Sequence, residues 1–142
     1  HSSFRIGERE MTDRMIAAIE HPFVDAIGHP TGRKIETRAP YALDVERVFE
    51  AAVRTGTMLE INANPDRRDL SDVHAREAAL AGVRIVINSD AHRIRTLALA
   101  RYGVATARRG WLTAADVANT LPWTKFAPLR KRARKYAQKR QR

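Results

Sequence analysis

Three short apolar runs, each closed by a polar cluster and parted from the next by an amphipathic stretch, restrict this chain to few folds. The runs are FVDAIGHP (23–30), TMLEINANP (57–65) and VRIVINSDAH (83–92). Between the first two lies LDVERVFEAAVRTG, with Leu43, Val45, Val48, Phe49, Ala52 and Val53 on one helical side. Between the last two lies SDVHAREAALAG, a second helix. Gly56 and Gly82 stand where these helices should stop, and Ser71 or Asp69 where the second should begin. A further helix, residues 8–19, precedes the first run, with Met11, Met15, Ile16 and Ile19 at helical spacing. Strands alternating with helices over short connections are the pattern of right-handed parallel β/α units. The expected class is therefore α/β.

Beyond His92 the periodicity predicts a helix over RIRTLALARY and another over WLTAADVANTL, where Thr113 and Asp116 are spaced as a helix-start box with Asp in place of Glu. A last helix is expected after Pro122.

In a parallel β/α array the functional side chains gather where the strands end. Here those ends are Gly28-His29-Pro30, Glu60 to Asn64, and Asn88 to His92. Asp90 and His92, two apart, share a face in extended chain. An oxygen and a nitrogen donor arriving together suit a borderline divalent ion such as zinc, manganese or iron. The competing explanation is local: Asp90 caps the next helix and His92 is an ordinary first-turn residue. His29, at the end of another strand, favours the metal, and His1 completes a set of four, His1, His29, Asp90 and His92, just sufficient for one ion. His21 and His74 read as surface residues. Arg33 after GHPTG, and Arg67 and Arg68 after NANPD, could grip a phosphate in two-pronged fashion, or simply pair Asp66 and Asp69.

At 142 residues the chain has the length of one domain. No apolar run approaches the roughly 20 residues that span a bilayer, and no signal peptide is evident, so no membrane partner is expected. The absence of cysteine excludes disulfides and thiolate zinc sites and fits a cytoplasmic location. The opening HSSFRIGERE lacks an initiator methionine, so a processed or excised piece is expected.

The net charge of +10 is placed unevenly. All 16 acidic residues, but only 17 of the 26 basic ones, precede Lys125. The division expected is thus a domain over 1–124 and a basic, helical tail over 125–142. The tail holds Lys125, Arg130, Lys131, Arg132, Arg134, Lys135, Lys139, Arg140 and Arg142 and no acid. Such a segment either binds DNA through counterion release or forms a solvated helix that touches nothing.

The stretches HSSF, GHPTGR, LEINANPDRRDLSDVHA, VINSDAH and RYGVATARRGWLTAADVANT together resemble the polymerase-and-histidinol-phosphatase (PHP) domain of bacterial family X DNA polymerases, from His1 to about Leu121. The resemblance implies a distorted seven-stranded β/α barrel with divalent metals at its strand ends. It also implies a metal-dependent phosphoesterase acting on DNA 3′ ends, as exonuclease or phosphatase, through metal-bound water and no protein nucleophile. His1, His29, Asp90 and His92 match metal ligands of that family; Glu60, Asn62, Asn64 and Arg67 match its strand-end motif, with a supporting or substrate-facing role. The family's first metal motifs and its polymerase portion have no counterpart here. The chain is therefore expected to be the second half of a barrel, completed by an amino-terminal half and, isolated, inactive or weak. Two other functions fit the same features: a small-molecule phosphatase of histidinol-phosphatase type, and a non-enzymatic DNA-binding fragment driven by the tail.

Overall fold

A computed structural model describes residues 5–131. His1 and the tail cations Arg132, Arg134, Lys135, Lys139, Arg140 and Arg142 lie outside the described residues.

The first helix, α1 (Glu8–Glu20), leads into a two-residue strand, β1 (Ala26–Ile27). Then follow α2 (Val45–Thr55), β2 (Met58–Asn62), α3 (Asp72–Leu80) and β3 (Ile85–Asn88). The strands form one parallel sheet in the order β1-β2-β3, with Ala26 opposite Met58 and Leu59 opposite Ile85. The expected β/α alternation is present.

The local stops and starts follow from particular side chains. Asp44 caps α2 by accepting from the Arg47 N–H at 3.1 Å, and Gly56 ends it at φ 69°, a left-handed conformation that suits glycine. Ser71 caps α3, accepting from the His74 N–H at 3.2 Å. Along β2, Leu59 and Ile61 face the helices and join Ile19, Phe49, Leu70, Ala75 and Ile85 in the main core. Met58, Glu60 and Asn62 face the other way, and all five residues of the strand are buried. The opposite face has a smaller core in which Met58, Val86 and Ala118 are covered by Phe126 and Leu129 from the carboxyl-terminal segment.

Three expected elements differ. The first run, expected as a short buried strand, yields only two paired residues, Ala26 and Ile27, because a turn closes from the His21 carbonyl to the Val24 N–H, and the chain leaves the sheet at His29. The segment WLTAADVANTL is not a helix. Asp116 accepts from the Thr113 N–H and hydroxyl at 2.7 and 2.9 Å, folding a tight turn, and Val117 then pairs with Ile85 in parallel fashion. Among the described residues, the segment expected as a final helix gives one helical turn at Trp123–Phe126 and a 3-10 turn at Ala127–Leu129, around Pro128; its continuation over residues 132–142 lies outside the described residues.

After His92 the chain makes a 3-10 turn (Ile94–Leu99) and then α4 (Ala100–Arg109). Gly103 allows the close approach of α4 to the sheet. A Cβ there would lie 2.5 Å from Ile87 Cγ2 and 2.8 Å from Ala63 Cβ, so any side chain would push the helix off the ends of β2 and β3.

Candidate functional site

Because the sheet is parallel, the carboxyl ends of its strands lie on one edge, and His29, the Asn62–Asn64 turn and Asn88–His92 all leave from it. Glu60 ties that edge together. Its buried carboxylate accepts from the His29 N–H at 2.6 Å, from Asn62 Nδ2 at 3.3 Å and from Asn88 Nδ2 at 2.9 Å, one donor from the end of each strand.

Two residues of the expected metal set have unusual backbones. His29 adopts φ 34° and Asp90 φ 54°, a region non-glycine residues seldom occupy, so the surroundings hold both in place. The sharp turn after β1 thus falls on His29 itself rather than on Gly28. The His92 ring Nδ1 lies 2.8 Å from the Asp90 carbonyl oxygen; as donor it leaves Nε2 as the nitrogen with a lone pair. The Asp90 carboxylate lies 3.7 Å from Arg67 Nε. Among the described residues no three His, Asp or Glu side chains are gathered into a group able to hold a metal ion. The fourth residue of the set, His1, is outside them.

Arg67 is nine-tenths buried, and its Nη1 is buried without a hydrogen-bond partner. Arg33 serves the loop beside it, donating from Nε to the Arg67 carbonyl at 2.8 Å and from Nη2 to that of Arg68. Asn62 and Asn64 shape the same loop: their Oδ1 atoms accept from the Asn64 and Asp66 N–H groups, each at 3.1 Å.

The sequence offered Asp69 only as a candidate cap or as a partner of the loop arginines. It is fully buried, and its two oxygens accept from the Thr31 N–H at 3.2 and 3.1 Å, fastening the loop that follows His29 to the loop that follows β2. Burial raises its carboxyl above the ordinary value, outweighing the hydrogen bonds from Thr31 and the charges of Arg33 and His29. A raised carboxyl holds its proton more firmly in the folded state. Its contribution to stability is complete below the unfolded value and is lost as pH rises through the folded one. Wild type should therefore lose stability relative to Asp69→Asn as pH rises above the ordinary carboxyl value and through the raised one. Urea unfolding of both proteins across that range measures the difference, and a flat or opposite trend would contradict the assignment.

The first three tail cations are in view. Lys125 is exposed, and the Arg130 guanidinium lies 4.8 Å from the Trp123 ring centroid. Lys131 closes the end of α1, donating from Nζ to the Ile19 and His21 carbonyls, while its backbone N–H donates to Asp25 Oδ1 at 2.6 Å. Of the two outlying histidines, His21 is exposed and His74 half-buried. Among the described residues no helix is long and apolar enough to cross a membrane.

Known proteins are similar to this chain in sequence. It is 44% identical over 119 residues, 84% of its length, to the DNA polymerase/3'-5' exonuclease PolX of Bacillus subtilis. It is 41% identical over 87 residues to a probable phosphatase of Caldanaerobacter subterraneus, and 34% identical over 88 residues to one of Acetivibrio thermocellus. The matches take in 57% and 58% of the chain respectively. The chain spans only 21% of the polymerase and about a third of each phosphatase. No family model matches it.

Proposed function

We propose that this chain is the carboxyl-terminal part of a PHP-type phosphoesterase domain, a β/α barrel completed by an upstream half, in a protein that processes DNA 3′ ends beside a family X polymerase. The supporting observation is the departure of His29, Asp90 and His92 from one edge of a parallel sheet, at the carboxyl ends of β1 and β3. The longer match to the polymerase/exonuclease than to the phosphatases favours DNA ends over a small phosphate ester. The phosphatases keep the second substrate class as the alternative reading.

The donor chemistry fits a divalent ion of the manganese, zinc or iron type in part. In this reading His29, Asp90 and His92 hold it together with His1 and ligands from the upstream half. Bound there, the ion would supply Lewis acidity to a phosphoryl oxygen and an activated water. The chain's own residues have separate tasks. Glu60 fixes the three strand ends, Asp69 and Arg33 fix the two loops, and the buried Arg67, 3.7 Å from the Asp90 carboxylate, keeps that side chain at the strand ends. Asn62 and Asn64 support that loop, and the tail from Lys125 adds DNA affinity that falls with salt. The test is manganese- or zinc-dependent release of phosphate or nucleotides from an oligonucleotide 3′ end by the protein containing both halves, set against a small phosphate ester. No hydrolysis of either would refute the reading; hydrolysis of the ester alone would establish the alternative.

A further inference from the structure

The stretch that follows Asp90 is strongly one-signed: residues 91–115 contain five arginines and no acid. Part of it lies close to the edge described above. Gly103 seats α4 against Ala63 and Ile87, and this places Tyr102 beside the loop that follows β2. There the Arg101 Cζ lies 4.8 Å and the Arg68 Cζ 5.9 Å from the centroid of the Tyr102 ring, and Arg101 Nη2 donates to the Tyr102 hydroxyl at 3.0 Å.

Both guanidinium groups are exposed, and among the described residues neither forms an ion pair with a carboxylate. Arg68 is also held from behind. Its carbonyl accepts from Arg33, and its neighbour Arg67 reaches Asp90. Two cations with unused hydrogen-bond donors, Arg68 on a fixed loop and Arg101 on α4, beside the Tyr102 ring of that helix, match the needs of a single nucleic-acid strand. Phosphates take the charge, and bases stack on the ring and on the guanidinium planes.

We propose that Arg68, Arg101 and Tyr102 form a strand-holding site, which receives the nucleotides preceding the end that reaches His29, Asp90 and His92. It rests on the reading of the chain as acting on DNA ends, and it assigns strand binding to α4 and the loop after β2 as well as to the basic tail.

The test uses the full chain in EDTA, with fluorescence anisotropy of a labelled oligothymidylate and of an abasic oligonucleotide with the same number of phosphates. Tyr102→Ala should lower affinity for oligothymidylate about tenfold, the scale of one stacked base, and leave the abasic strand unchanged. Arg68→Ala with Arg101→Ala should weaken both and reduce the salt slope by about 0.7 for each phosphate no longer neutralised. A Tyr102→Ala effect equal on the two strands, or absent, would overturn the proposal. If that variant fails to fold, 4-thiothymidine cross-linking of the wild-type chain decides instead. Cross-links at Arg68 or Tyr102 support the site, and cross-links confined to residues 125–142 refute it. Because no metal or turnover is involved, failure here is distinguishable from failure of the phosphoesterase reading.

Discussion

Replacing His92 by alanine in the protein that contains both halves of the domain should abolish metal-dependent hydrolysis of a DNA 3′ end while leaving the fold intact. His92 is exposed, beyond the end of β3, and its ring touches the protein through one hydrogen bond to the Asp90 carbonyl. Losing that bond in water costs little stability. The effect on turnover should be large, because even the outer partners of metal ligands cost about 10–100-fold when removed, and a ligand itself costs more. Arg67→Ala provides the contrast. It empties a buried position and frees Asp90, so both stability and turnover should fall. Initial rates at saturating manganese, with circular dichroism melting of each variant, separate the two. His92→Ala retaining more than about a tenth of the wild-type rate, the mildest loss expected even of an outer partner, would remove His92 from the site.

The largest loss of stability is expected at Glu60. Its carboxylate is the shared acceptor for the His29 main chain and for the amides of Asn62 and Asn88, and it is buried. Alanine would leave three donors facing a void at the one place where the strand ends are joined. The expected cost is about 3–5 kcal/mol, from the penalty of orphaned buried donors. Glu60→Gln keeps the volume and one acceptor oxygen, and should cost roughly half as much. Urea unfolding measures both, and an alanine variant within about 0.5 kcal/mol of wild type, the range of ordinary surface changes, would show that the strand ends do not depend on Glu60.

Much of this architecture was legible in the residues because its signals are local. The apolar face of residues 43–53, Gly56 as a stop and Ser71 as a cap act within one or two turns of chain, and each acts as its residue type suggests. Elements governed by distant partners were not. Asp69 reads as a helix cap, yet it binds Thr31, 38 residues earlier, and only the parallel sheet brings the two loops together. Residues 111–121 have helical spacing, but the Thr113–Asp116 turn and the pairing of Val117 with Ile85 offer the same backbone groups other partners. Lys131 reads as one more tail cation, and its role at the end of α1 depends on a segment 110 residues away.

For the site, the residue types and their strand-end positions were readable, but their mutual geometry was not. His29 and Asp90 reach the edge through left-handed backbones that neither side chain advertises, and the Glu60 carboxylate joins ends that lie 31 and 28 residues from it in sequence.

The central claim, that His29, Asp90 and His92 belong to a divalent-metal site, is tested most directly by equilibrium binding of manganese and zinc to the 142-residue chain, followed by titration calorimetry and by metal analysis after dialysis. The account predicts about one ion per chain, around which His29, Asp90 and His92, not grouped in its absence, close together with His1, with affinity lost in His29→Ala and in His92→Ala but kept in His74→Ala. Absence of binding at submillimolar metal, or binding that survives both His29→Ala and His92→Ala, would contradict it.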